Sequence, residues 1–214
     1  MIETNHYHIR ALRLLRTIIG SESQVLEMGT SEFSFQQLEK IPCRAWKSLD
    51  LVPPADYVVD LDQADLCLPV EQSLFDVIIC SFVLEHLRYG TALLSEIYRV
   101  LPLGGRLLIS VPNICSLTYR AAWLMGHIPA CAASGDLGPE LNGTGYFSES
   151  TGRWWGGHVC DYNETRLKAV LNKAGFVNIK TYGSGLYRKG QILPYWALPP
   201  ALASDVIAVA HKES

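Results

Sequence analysis

The pair Glu85-His86 carries the residue types best suited to proton transfer in this chain. It directly follows a short apolar run, within the segment LEHL. An imidazole has a pKa near neutrality, so His86 could remove a proton from a hydroxyl group of an acceptor molecule. The alternative is structural, because an acid and an imidazole can also fix the turn at the start of a helix.

Metal binding is the other chemistry that histidines support, and here their spacing argues against it. His158, Cys160 and Asp161 lie on a segment predicted to be extended, where this spacing gives poor tetrahedral geometry without a distant fourth ligand. His6 and His8 lie near the N-terminus with no third ligand in view. The sequence therefore indicates no metal site.

The Glu-His pair is positioned by a pattern of strand, helix and strand. Residues 75–80 (FDVIIC) and 106–111 (RLLISV) are apolar runs without alternation, which is typical of parallel strands covered on both faces. Residues 91–101 place apolar side chains at helical spacing, and a pair of glycines ends that helix. Such a βαβ unit predicts a doubly wound α/β sheet, which binds its ligand at the carboxyl ends of its strands.

The segments FDVIICSFVLEHL and LLSEIYRVLPLGGRLLISVPN follow one another within residues 74–113. This order resembles the central half of class I S-adenosylmethionine (SAM)-dependent methyltransferases, and most closely the branch that acts on small molecules and sugars. Residues 157–176, with GHV, a tyrosine and a helix ending in AGF, are also similar to that branch. The resemblance implies a Rossmann-like sheet of seven strands, mostly parallel, with the last strand, residues 205–210, antiparallel.

The resemblance also implies SAM as cofactor, S-adenosylhomocysteine as product, and a set of cofactor-binding residues at the strand ends. The matching positions are Glu27, Gly29 and Thr30 after the first strand, Asp50 after the second, Asp60 and Leu61 after the third, and Cys80, Ser81 and Phe82 after the fourth. In the family, the acid at the position of Asp50 accepts hydrogen bonds from both ribose hydroxyls, and the acid at the position of Asp60 contacts adenine. Asp50 could instead be a turn acid, and Asp62 and Asp65 are alternatives to Asp60.

The turn after the first strand departs from the family pattern. Gly29 is followed by TSEF at residues 30–33, where the family has further glycines. Glycine suits this turn because the backbone must bend sharply and approach the nucleoside closely. Three explanations stay open: hydroxyl side chains replace the missing backbone contacts, SAM binds weakly, or the chain is an inactive homologue that serves as a partner or regulatory subunit.

Residues 113–157 form a long insertion before the last helix, with a predicted loop at 132–145, and a second variable loop is predicted at 186–200. Long loops in compact domains are usually functional, and the resemblance places the acceptor lid here, with a surface flap as the alternative. His158 then enters from the acceptor side and is the preferred general base, with a structural hydrogen bond as the other interpretation. Aromatic residues and glycines in the insertion suit a flat or sugar-like acceptor. We therefore predict methyl transfer to an oxygen or nitrogen of a small molecule.

Composition predicts a single globular domain, residues 1–214, in the cytoplasm. Hydrophobic residues make up 49% of the chain, the net charge is −3, and there is no basic run, which argues against a nucleic-acid partner. No signal-peptide core or membrane span is predicted, and six cysteines without a CxxC pair indicate reduced thiols. Residues 5–19, within an N-terminal helical segment 1–20, form an amphipathic helix that packs on the sheet or, alternatively, on a membrane surface. A homodimer or another protein partner stays open.

Overall fold

The computed structural model describes residues 6–30, 33–129, 132, 146–148, 153–155, 157–187, 191–194 and 196–213. The α-helices are α1 (His6–Ile18), α2 (Phe35–Leu38), α3 (Gly90–Val100), α4 (Leu117–Leu124) and α5 (Glu164–Lys173), and short 3-10 helices cover Leu84–His86 and Pro200–Leu202. The strands are β1 (Gln24–Met28), β2 (Ala45–Asp50), β3 (Tyr57–Val58), β4 (Val77–Ser81), β5 (Arg106–Pro112), β6 (Tyr146–Ser148), β7 (Arg153–Trp155), β8 (Val177–Gly183), β9 (Leu186–Tyr187), β10 (Gln191–Leu193) and β11 (Asp205–His211).

Seven strands form one sheet in the order β3-β2-β1-β4-β5-β11-β8. The first five strands of this order, β3, β2, β1, β4 and β5, pair in parallel. Strand β11 lies antiparallel to both of its neighbours. The predicted seven-stranded, mostly parallel sheet with an antiparallel last strand is confirmed. The strand order reverses between β1 and β4, and a sheet of this kind opens a crevice at the carboxyl ends of those two strands.

Both faces of the sheet are covered, as the unbroken apolar strands predicted. Helix α1 covers one face, where Leu15 and Val25 are fully buried, together with Ile79 from β4. Helices α3 and α5 cover the other face through side chains such as Leu94 and Leu167. The predicted packing of the N-terminal helix on the sheet is therefore confirmed. Among the described residues, no helix combines the length and the apolar character needed to cross a membrane.

Helix α1 is also tied to the sheet by one buried polar group. The Tyr7 hydroxyl donates to Ser81 Oγ at 2.9 Å and lies 2.9 Å from Ser110 Oγ. These two serines belong to neighbouring strands, β4 and β5. Burial raises the pKa of Tyr7 well above its ordinary value, so the phenol stays protonated and able to donate. One tyrosine therefore fixes the start of α1 beside the carboxyl ends of both strands.

Several predicted boundaries differ from the structure. The sequence also predicts that a helix begins over residues 35–40; it ends at Leu38, where Glu39 is already extended. Strand β4 runs from Val77 to Ser81 and thus lies one or two residues later than the predicted run. Residues 186–200, predicted as a loop, contain the paired strands β9 and β10, and Trp196 there is exposed.

The predicted lid, residues 113–157, is described only in part. Helix α4 has no buried residue, and about half of the Trp123 surface is exposed. Strands β6 and β7 pair antiparallel, with Phe147 opposite Trp154. The predicted loop 132–145 lies outside the described residues except for Ala132.

Candidate functional site at the carboxyl ends of the strands

The crevice begins at Gly29, which turns the chain away from β1. Its φ of +75° is favourable only for glycine. A Cβ atom at this position would lie 2.4 Å from Val83 Cγ2, far inside the contact distance of two carbon atoms. Glycine is therefore required both by the turn and by the close passage of the loop that follows β4. Thr30 is half-buried next to it, whereas residues 31–32 lie outside the described part.

Glu27 holds the far end of the same loop against the sheet. Its carboxylate accepts hydrogen bonds from the Ser34 hydroxyl at 2.8 Å, the Phe35 backbone N–H at 2.6 Å and Trp46 Nε1 at 2.9 Å. Burial raises the pKa of Glu27, and these donors offset part of that rise. All three contacts are with protein groups, so this side chain shapes the loop. Its predicted contact with the cofactor stays a prediction.

Asp50 ends β2 beside the end of β1 and is buried, with 6% of its surface exposed. Its Oδ1 atom accepts from the backbone N–H of Leu51 at 2.7 Å and of Val52 at 3.3 Å. These contacts are those of a turn acid. They also hold the carboxylate at the carboxyl end of the strand, which is the position the ribose prediction requires.

The acids after β3 differ in what they contact. Asp62 binds Arg88 Nε at 2.8 Å and also accepts from the Arg88 backbone N–H, so it links this loop to the start of α3. Asp60 Oδ1 accepts from the Asp62 backbone N–H at 3.0 Å. Leu61 is buried beside it, and Asp65 is exposed. Because Asp62 is engaged with an arginine, Asp60 stays the preferred adenine contact among the three.

The residues leaving β4 form the opposite wall of the crevice. Cys80 is fully buried, and burial raises the pKa of its thiol, so it is an apolar filler at ordinary pH. The Ser81 hydroxyl accepts from Tyr7, as described above. Phe82 has a φ of +54°, its N–H donates to Ser110 O at 3.0 Å, and its ring lies 4.7 Å from that of Tyr7. A positive φ is uncommon for phenylalanine and concentrates at functional sites.

The structure brings the two predicted histidines together. The ring centroids of His86 and His158 are 5.0 Å apart. His86 Nδ1 lies 3.2 Å from Gly157 O, which fixes the tautomer that carries its hydrogen on Nδ1 and leaves a lone pair on Nε2. Burial and the neighbouring His158 lower the pKa of His86, so its neutral, proton-accepting form dominates at neutral pH.

Glu85 is more deeply buried than its pairing with His86 in the sequence indicates. It is 1% exposed, and neither of its carboxylate oxygens has a hydrogen-bond partner among the described residues. Burial raises its pKa to about 8. Its side chain therefore does not fix the turn; instead, the Glu85 carbonyl accepts from Val159 N at 2.9 Å and from Cys160 N at 3.1 Å. The flanking leucines of LEHL were the available signal that this acid points inward.

A small pocket adjoins the two histidines on the side of β5. Its lining comes from the 3-10 helix after β4, the end of β5 and the segment before α5: Glu85, Pro112, Ile114, His158, Cys160, Asp161 and Tyr162. The pocket is thus formed by the strand ends that lie next to the crevice. It has no room for a water molecule in this structure, so it does not by itself define a binding site.

Residues 3–181 match the family model of the methyltransferase domain, which is most of the chain. No curated protein sequence matches the chain. Solved structures nevertheless share its fold. A SAM-dependent methyltransferase of Thermotoga maritima, described as a possible histamine N-methyltransferase, is 17% identical with a TM-score of 0.62, covering 96% of this chain and 89% of that one.

Two further structures were solved with S-adenosylhomocysteine bound. The N-methyltransferase NodS of Bradyrhizobium japonicum is 15% identical with a TM-score of 0.55, covering 100% of this chain and 91% of that one. The 1,6-didemethyltoxoflavin-N1-methyltransferase of Burkholderia thailandensis is 18% identical with a TM-score of 0.54, covering 97% and 79%. At these identities the likeness demonstrates a shared fold.

Proposed function

The chain belongs to the methyltransferase domain family and is a SAM-dependent methyltransferase, and from that premise we propose that its acceptor is a small molecule methylated on oxygen or nitrogen. The observation that carries this proposal is the pair of imidazoles, His86 and His158, whose ring centroids lie 5.0 Å apart just after the end of β4. A net charge of −3 without a basic run disfavours a nucleic-acid acceptor. The three similar structures described above are named for N-methyltransferases, which supports nitrogen as one acceptor atom.

The crevice between β1 and β4 fits SAM in its main features. Gly29 provides a turn that no other residue could adopt without strain, and Asp50 places a buried carboxylate at the neighbouring strand end. We assign the ribose to Asp50, adenine to Asp60 and Leu61, and the methionine part to the backbone of residues 80–82. SAM supplies an already activated methyl group, so the protein's task is to hold donor and acceptor in line and in contact.

An acceptor hydroxyl must lose its proton during the transfer, whereas a neutral amine need not lose it first. His158 lines the pocket, and His86 is neutral with a lone pair on Nε2. We therefore assign His158 and His86 as the candidate proton acceptors of the proposed reaction. His158→Ala should lower kcat for a hydroxyl acceptor while leaving the affinity for SAM unchanged. Full turnover of His158→Ala would end the assignment of His158 as base.

Calorimetric titration with SAM and S-adenosylhomocysteine tests the cofactor assignment. We expect micromolar binding by the unaltered chain and a loss of about 10- to 100-fold in Asp50→Ala, because a buried carboxylate that accepts from a diol is removed. Glu71→Ala is the control, since it removes an exposed acid that precedes the amino end of β4 and is no candidate for binding. Equal affinities in both variants would refute the ribose role of Asp50. No binding by the folded, unaltered chain would refute catalysis and favour a partner or regulatory subunit.

Release of S-adenosylhomocysteine in the presence of candidate acceptors tests the acceptor class. Small amines and hydroxyl compounds are expected to support turnover, whereas transfer RNA and protein mixtures are not. Turnover with RNA or protein alone would overturn the proposal of a small-molecule acceptor while leaving the cofactor assignment intact.

A further inference from the structure

We propose that Glu85, His86 and His158 form a binding site for a divalent transition-metal ion, at which the acceptor molecule is held. One ligand atom from each of these three side chains lies within 4.8 Å of the other two. Two imidazoles and one carboxylate are the ligand set of catalytic zinc sites and of non-haem iron sites. Three protein ligands leave a coordination position open for another molecule.

His86 is oriented as a metal ligand usually is. Its Nδ1 lies 3.2 Å from Gly157 O, and a ligating histidine characteristically donates its other ring N–H to such a carbonyl. Its Nε2 faces Glu85 Oε1 at 3.9 Å. That distance is too long for a hydrogen bond. Two ligand atoms of a tetrahedral ion lie about 3.3 Å apart, so binding would draw these two atoms together by about half an ångström.

Glu85 supplies the second, independent observation. A carboxyl group that is 1% exposed and has no hydrogen-bond partner for either oxygen within the described part of the chain is rare, because the loss of its contacts with water is uncompensated. Tyr7, Cys80, Tyr162 and Asp205 interact electrostatically with Glu85 and supply no positive charge, and the imidazole of His86 lies 3.9 Å away, beyond hydrogen-bond distance. A cation between Glu85 and the two imidazoles provides the missing partner.

The backbone holds the cluster together without help from an ion. The Glu85 carbonyl accepts hydrogen bonds from Val159 N and Cys160 N, so the segment that carries Glu85 and His86 is joined to the segment that carries His158. Ligands that are held close before the metal arrives lose little conformational freedom on binding it. No local sequence pattern indicated the cluster, because its two segments are far apart in the chain. His86 and Gly157, the residue directly before His158, are 71 positions apart.

The role of the ion in turnover rests on the proposed function, whereas the binding of the ion does not. A divalent ion lowers the pKa of a coordinated hydroxyl, so the favoured acceptor is a small molecule that offers a hydroxyl oxygen beside the pocket. The hydroxyl proton passes to solvent and an oxygen–methyl bond forms. The sulfur–methyl bond of SAM breaks, and its electron pair stays on sulfur. The two histidines then act as ligands and do not need to take the proton.

The test uses the full chain after treatment with a chelator. Zn²⁺ is titrated calorimetrically, and Co²⁺ is added as a spectroscopic probe of the ligands. The variants are Glu85→Gln, His86→Ala and His158→Ala, all in a Cys67→Ser background that removes an exposed thiol. His127→Ala is the matched control, because that histidine is exposed and outside the cluster. Each protein is also titrated with SAM.

We expect one Zn²⁺ per chain in the Cys67→Ser protein and in the His127→Ala control, and affinity at least about 100-fold weaker in each cluster variant. No Zn²⁺ binding, or equal binding in the cluster variants, would overturn the site. A sulfur-to-cobalt charge-transfer band would overturn it as well, because a cysteine thiolate would then be a ligand. If the protein binds SAM but not Zn²⁺, the metal site alone is refuted. If it binds Zn²⁺ as expected but not SAM, the proposed function alone is refuted.

Discussion

Two buried glutamates near the carboxyl ends of adjacent strands have opposite surroundings. Glu27 in β1 is 3% exposed and accepts three hydrogen bonds from protein donors. Glu85, just after β4, is 1% exposed and has none for its carboxylate among the described residues. Burial raises the pKa of both. Burial alone therefore does not distinguish a structural acid from a functional one. The distinction lies in whether the protein itself supplies hydrogen-bond donors to the carboxylate.

The difference has an energetic meaning. When a buried carboxylate accepts from several donors, those hydrogen bonds offset the free-energy cost of its desolvation. Removing the carboxylate leaves the donors unpaired. A buried carboxylate without donors weakens the fold, so its retention calls for a ligand that the protein does not itself supply. Glu27 thus belongs to the architecture of the cofactor loop, and Glu85 belongs to the acceptor side.

Glu27→Ala should have the largest effect, a loss of about 3–5 kcal/mol in the free energy of unfolding, because three buried donors lose their acceptor. Urea denaturation measures it. Glu39→Ala is the control: its surface ion pair with Arg16 should be worth less than about 1 kcal/mol. Similar losses in both variants would remove the distinction drawn for Glu27.

Gly29→Ala should cost about 2–4 kcal/mol, since it combines a left-handed φ with a clash against Val83. Gly104→Ala provides the comparison, because Gly104 has a φ of +78° but a Cβ added there would meet no atom within 4 Å, and about 1 kcal/mol is expected. Adding Val83→Ala to Gly29→Ala should recover part of the loss. If the two glycine variants were equally unstable, the close passage of the loop after β4 would have no energetic weight.

A smaller effect is the pH dependence that Glu27 imposes. Because the pKa of Glu27 is raised in the folded state, the folded chain holds its proton above the ordinary carboxyl pKa of 4.5, where the unfolded chain has lost it. This contribution to stability is complete below pH 4.5 and declines as pH rises through the folded pKa. In urea titrations from pH 4.5 upward, the stability of the unaltered chain relative to Glu27→Gln should therefore fall. A constant difference would contradict the raised pKa.

Glu85→Gln should have the smallest effect on the metal-free protein, within about 1 kcal/mol of the unaltered chain or more stable, because no protein donor loses a partner. The same urea experiment tests it, with Glu27→Gln measured alongside. A loss of more than about 3 kcal/mol in Glu85→Gln would mean that this carboxylate has a protein partner in solution.

Local patterns predicted most of the fold. The apolar runs of β4 and β5 and the helical spacing of α3 were visible within a few residues, and each was found within two residues of its predicted bounds. Helix α2 was overestimated, because the extended conformation of Glu39 depends on its surroundings more than on its own propensity. Such boundaries are set by packing and by neighbours of proline.

The site was less accessible to prediction from sequence, since its contacts are between distant positions. Trp46 reaches Glu27 across 19 positions, and Arg88 pairs with Asp62 across 26. The burial of Glu85 depends on the segment before α5, which no local pattern relates to LEHL. The sequence predicted which acids lie at the carboxyl ends of the strands. It did not predict which hydrogen-bond donors each acid meets.

Tyr7 has a consequence for how the chain is made. Its hydroxyl meets Ser81 and Ser110, which follow it by 74 and 103 positions. Helix α1 is synthesised before Ser81 and Ser110. Its apolar side chains therefore stay exposed to solvent until β5 has been synthesised. Contacts between such distant positions slow folding and expose apolar surface meanwhile. Helix α1 is thus among the last elements of this sheet to dock.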